Sequence, residues 1–131
     1  MRAIDTNVLV RLIAANDAKQ VEAADRFIAR GAWISLLVLA ETVWVLSSSY
    51  DRSAKQTATA IETLLEHRDL IIQDPDVVAA ALESFRARPA IGFTDHLIVE
   101  MARKNGHLPL GTFDRDLAGQ NGVERISSRQ Y

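Results

Sequence analysis

The chain has 131 residues, of which 48% are apolar and 24% charged, the balance of a soluble globular protein large enough to bury a substantial core. It has no cysteine, which excludes a disulfide framework and a thiolate metal site, and no apolar run long enough to span a bilayer. Without the basic, apolar, small-residue order of a secretory signal, a single cytoplasmic domain over residues 1–131 with no membrane association is expected; the formal charge of −2 does not advertise a polyanion-binding surface, although a local basic rim can coexist with a buried acidic site.

Residues 2–5 read as a short strand, and residues 7–13 suit a short helix. Asp17-Ala18-Lys19-Gln20 has capping-box spacing, and Val21, Ala24, Phe27 and Ile28 recur at helical spacing until Gly31. Residues 32–35 fit a second buried strand, and LLVLAETVWVLSSSY after it reads as a helix that is apolar on nearly every side. Ser53-Ala54-Lys55-Gln56 is another capping box, leading a helix with Ala58, Ile61 and Leu65 on one face. Residues 69–73 are a third strand, followed by Asp74-Pro75 at a helix start. Thr94-Asp95 opens a further helix that ends at Asn105-Gly106. Residues 108–113 contain a fourth strand, residues 114–120 a short helix, and residues 123–126 a fifth strand. Short apolar strands alternating with amphipathic helices predict a three-layer α/β/α fold with a mostly parallel, five-stranded sheet.

In such a fold, strand ends and helix starts share one edge of the sheet, where sites collect. Asp5 ends the first strand, Glu41 lies one to two turns into the helix after the second, Asp95 is in a helix first turn, and Asp114 and Asp116 follow the fourth strand. Taken alone, Asp5 reads as a helix cap, and Asp95, Asp114 and Asp116 as first-turn acids complementing a helix dipole. Glu41 differs: it is the only charge between Gly31 and Asp51, in a helix whose apolar surround offers no solvated face. Two carboxylates about 4 Å apart repel by roughly 4 kcal/mol at an effective dielectric near 20. Arg115 is the only base interleaved with these motifs, too little to neutralise the group, so the cluster calls for a divalent cation with hard oxygen ligands, Mg²⁺ or Mn²⁺. A carboxylate-held cation of this kind suits hydrolysis of a phosphodiester.

Asp5-Thr-Asn-Val-Leu-Val-Arg near the N-terminus, Ala40-Glu41, Thr94-Asp95 and Thr112-Phe-Asp114-Arg-Asp116-Leu, in that order, resemble the PIN domain, and more closely the VapC-type toxins of toxin–antitoxin pairs. The resemblance covers essentially the whole chain. It implies a metal-dependent ribonuclease that cuts RNA, often a structured RNA such as tRNA. Asp5, Glu41, Asp95 and Asp114 match the acidic quartet, with Asp116 a fifth acid that holds metal through water. Asn7 and Thr112 match polar positions that orient the acids. The resemblance also implies a cognate antitoxin and a homodimer, with residues 36–46, Trp44 and Val45 included, as a candidate dimer face. Arg115 and Arg11 are the leading candidates for RNA contact, ahead of Arg86, Arg88, Arg103 and Lys104. His96, after the third acid, departs from the family pattern and is expected in the core or at the rim.

Two other phosphate-chemistry classes fit less well. A receiver-like domain would pair acids after the first strand and place a lysine after a later one, whereas Asp5 has no adjacent acid. A haloacid-dehalogenase-type phosphatase needs two aspartates flanking one residue, and Asp5-Thr6-Asn7 fails that test. A catalytically inactive PIN-like binding module is opposed by the complete acid set.

Overall fold

In the computed structural model, which describes residues 1–128, side-chain caps mark the starts of four helices. Asp5 caps α1 (Thr6–Ala14), Asp17 caps α2 (Ala18–Ile28) and Ser35 caps α3 (Leu36–Ser49), each accepting a hydrogen bond from a first-turn backbone N–H. Ser53 opens α4 (Ala54–Glu66) with a reciprocal capping box, in which Ser53 Oγ accepts from Gln56 N–H and the Gln56 side chain accepts from Ser53 N–H. Gly31, at φ 91°, adopts the left-handed conformation that turns the chain out of α2 and into the next strand.

The chain divides into two compact units, Met1–Pro75 and a second beginning at Asp76. In the first, β1 (Arg2–Ala3), β2 (Ala32–Ile34) and β3 (Leu70–Ile72) form a parallel sheet in the order β1-β2-β3, with Arg2 opposite Ala32 and Ala32 opposite Leu70. Successive strand residues face opposite sides, so Ala32 and Ile34 are buried while Trp33 and its register partner Ile71 are exposed. Helix α1 packs on α2 and α3, and Leu9, Ile34, Leu39, Leu46 and Ile61 are almost wholly buried. Each such side chain contributes about 1.5–3 kcal/mol by leaving water.

The second unit holds α5 (Pro75–Ala87, its first residue the last of the first unit), α6 (Phe93–Lys104), and the parallel pair β4 (Leu110–Thr112) and β5 (Val123–Arg125). Ile91, Val99 and Leu117 form a buried cluster, with Leu110 and Val123 packed against it. The ring of Phe85 meets that of Phe93 edge-on at 6.0 Å between centroids.

The α/β class, the element order and all five parallel strands are as expected, with two departures. The strands pair as three plus two rather than as one five-stranded ladder. Strands of two or three residues form few ladder hydrogen bonds, so their pairing depends on helix packing that residue periodicity does not encode. The short helix expected over residues 114–120 is a single 3-10 turn, Leu117–Gly119. Asp114 Oδ1 caps this turn by accepting from the N–H groups of Asp116 and Leu117, and Gln120, in extended conformation, ends it.

Candidate active site

In the first unit the end of β1 and the second turn of α3 meet at one pocket. Asp5, Asn7 and Arg11 line it from α1 and its cap, Leu37, Val38, Glu41 and Val45 from α3, and Tyr50 from the end of that helix; its volume is about 520 Å³. Asp5 Oδ1 accepts from Asn7 N–H at 3.1 Å, so the capping role is real, yet it uses only one carboxylate oxygen. Neither the other oxygen of Asp5 nor the Glu41 carboxylate has a partner among the described residues. Arg11 is half-buried and donates to Asn16 Oδ1 at 3.1 Å, which holds its guanidinium at the pocket wall.

The environment expected for Glu41 is corrected here. Glu41 is exposed, and it shares a helix stripe with Leu37 (79% exposed) and Trp44 (66% exposed). The helix does have a solvent face, but that face carries two large apolar side chains, so composition alone hid it. Tyr50 joins the same pocket without having drawn attention in sequence, because as the last residue of an apolar segment it carries no motif.

In the second unit Asp95 lies in the first turn of α6, half-buried, with no partner for its carboxylate among the described residues. The helix N-cap there is Gly92, which supplies no side chain, so Asp95 complements the helix terminus by charge rather than by a cap bond. Thr112 ends β4, and its Oγ1 accepts from Asp114 N–H at 3.0 Å, which fixes the turn carrying Asp114, Arg115 and Asp116. Asp114 Oδ1 takes two backbone N–H groups at 2.8 and 2.9 Å, and Asp116 and Arg115 are exposed. Arg103 pairs with Glu100 at 3.2 Å and Lys104 with Asp76 at 3.0 Å, so these two bases are engaged within the unit.

His96 is 1% exposed, its Nε2–H donates to the Arg88 carbonyl at 3.1 Å, and its ring lies 6.2 Å from that of Phe85. It is a core histidine with a satisfied hydrogen bond.

Among the described residues no three or more His, Asp or Glu side chains gather as a ready metal cage. The donor chemistry of the first-unit pocket nonetheless fits a hard cation. Asp5 and Glu41 offer oxygen donors only, and Mg²⁺ characteristically takes one or two carboxylates and keeps waters in its other positions. An α/β chain with a carboxylate pair at a strand end and the facing helix is the class of protein defined at this point.

The PIN domain family model matches residues 3–121, and the chain belongs to that family. Membership agrees with the three-layer α/β/α fold class expected from sequence. Among solved structures, the crystal structure of Mycobacterium tuberculosis VapC20, described as a Sarcin-Ricin loop cleaving toxin, aligns with 95% of this chain and 98% of its own at 20% identity and a TM-score of 0.42. A search of curated protein sequences gives no match.

Proposed function

We propose that this PIN domain is a VapC-like endoribonuclease toxin that hydrolyses RNA phosphodiester bonds with Mg²⁺ or Mn²⁺. The observation that carries the reading is the pocket shared by Asp5 and Glu41, two carboxylates without a basic partner, brought from distant segments to one place. The order of the remaining acidic motifs, Asp95, Asp114 and Asp116, supports it.

In this reading Asp5 and Glu41 hold the cation in the first unit, while Asp95, Asp114 and Asp116 are the motif acids of the second unit. When bound, the cation would polarise a phosphoryl oxygen and make a water acidic enough to serve as nucleophile. The chain's own residues bind and orient. The cap bond from Asn7 N–H fixes the Asp5 carboxylate, and Thr112 fixes the Asp114 turn. Arg11 stands at the pocket wall as a charge for a substrate phosphate, and Arg115 lies between Asp114 and Asp116 as a second RNA contact. The substrate is a structured RNA, of which tRNA is the leading candidate.

The same reading includes a cognate antitoxin that blocks the pocket, a cytoplasmic location, and a homodimer. No helix among the described residues is long and apolar enough to cross a membrane. The exposed Trp44 on α3 is the apolar surface that a second copy would cover.

The test is incubation of the purified protein with total RNA, with Mg²⁺, with Mn²⁺ and with EDTA, followed by mapping of cut ends. Defined cuts that need the metal and disappear in Glu41→Gln are expected. Cleavage that persists in EDTA, or that Glu41→Gln leaves at full rate, refutes the assignment.

A further inference from the structure

A second groove of about 660 Å³ opens in the first unit between α1 and α2, and it shares Asp5, Asn7 and Arg11 with the acidic pocket. We propose that this groove is a nucleobase subsite, with adenine the best-fitting base, that seats a nucleotide beside the scissile phosphate. The inference rests on the ribonuclease reading and adds to it the element that selects sequence.

Three features point to a base. The floor is apolar, formed by the buried Ala24 and the ring of Phe27, with the exposed Ala23 at its rim. That ring is braced from outside the groove lining: the Arg2 guanidinium lies 3.6 Å from its centroid and donates to the Phe27 carbonyl at 3.2 Å. A fixed aromatic wall is what single-stranded bases stack on. Next, Asn7 and Gln20 line the groove; both are exposed, and no other described residue engages their side-chain amides. An Asn or Gln amide matches the paired donor and acceptor on the edge of adenine. Finally, Arg11 stands where both cavities meet, so a nucleotide with its base in the groove would place its phosphate by Arg11 and the Asp5 carboxylate. An apolar side chain from a protein partner would cover the floor without using either amide, which favours the base.

Gln20 had read in sequence only as the last member of a capping box. Its backbone N–H does donate to Asp17 Oδ1 at 3.2 Å, but its side chain is a groove residue.

The experiment uses the full chain and an oligoribonucleotide spanning a cut mapped on total RNA. Each nucleotide flanking the cut is replaced in turn by the other bases and by an abasic ribose. Wild type, Gln20→Ala and Ala23→Trp are compared, both substitutions being at exposed positions of α2, with melting curves to verify folding. At one flanking position, the abasic substitution is expected to lower kcat/KM of the wild type about tenfold or more. Gln20→Ala should narrow the spread among the four bases at that position alone. Ala23→Trp, which fills the groove, should make the abasic substitution cost nothing further, the signature of two changes acting on one contact. A wild type indifferent to abasic substitution at every flanking position, or variants that keep its base preference, overturns the subsite while the ribonuclease reading stands. Unchanged base preference with weakened antitoxin binding in Ala23→Trp assigns the groove to a protein partner and also overturns it. A wild type that cuts no RNA removes the ribonuclease reading, and the subsite with it.

Discussion

Asp5 has two roles that a pair of substitutions can separate. Its Oδ1 caps α1 by accepting from Asn7 N–H, while the carboxylate charge belongs to the acidic pocket. Asn at an N-cap is as effective as Asp, so Asp5→Asn should keep the cap and change stability by no more than a few tenths of a kcal/mol. Asp5→Ala removes the cap bond and should cost about 1 kcal/mol, a drop in Tm of roughly 3–4 °C for a chain of this size. Cleavage should respond differently, because both variants lose the charge. If loss of a residue that merely supports a metal ligand costs 10–100-fold, loss of the ligand itself should cost more than about 100-fold. Calorimetry and a labelled-RNA cleavage assay on the same preparations give both readouts. Asp5→Asn cleaving at the wild-type rate would show the carboxylate to be a cap and nothing more. Asp5→Asn melting as low as Asp5→Ala would show that its charge, rather than the cap bond, supports the fold.

Three further outcomes follow from other parts of the molecule. His96→Ala leaves a cavity beside Phe85 and removes one of the two hydrogen bonds to the Arg88 carbonyl, which keeps only the Ile91 N–H, at a cost of about 3 kcal/mol, or roughly 10 °C in Tm; a loss below about 1 kcal/mol would contradict the burial of this ring. The hydrogen bond from Lys104 holds the Asp76 carboxyl below its ordinary value of 3.8. Because the folded value is lowered, its contribution to stability is present above the ordinary range and is lost as pH falls through the lowered value. NMR titration should place Asp76 below an ordinary aspartate, and Lys104→Met should return it; an unmoved titration in the variant would refute the cause. Trp44→Ser should convert a dimer to a monomer in light scattering behind size exclusion, and a wild type that is already monomeric would refute the proposed dimer face.

Much of the fold was legible in the sequence because its signals are local. The caps Asp17 and Ser53 act within one turn, and alternation of short apolar strands with amphipathic helices gave the class and the element order. The acidic residues were legible as motifs for the same reason. Asp5, Asp95, Asp114 and Asp116 lie at a strand end or a helix start, where a short-range bond such as that from Asp114 N–H to Thr112 Oγ1 sets position, whereas Glu41 lies in the second turn of α3.

What the sequence could not decide was exposure and neighbourhood. The α3 segment is so apolar that Glu41 looked buried, whereas packing of α1 on one side of that helix leaves Leu37, Glu41 and Trp44 in solvent on another. Gln20 and Tyr50 entered cavity walls only because their helices converge on α1 and Asp5. Sequence alone determined which residues cap, alternate and carry charge, since those properties are settled within a few positions of chain. Tertiary structure decided which of them share a cavity, because that depends on contacts between segments whose separation along the chain carries no record of their distance in space.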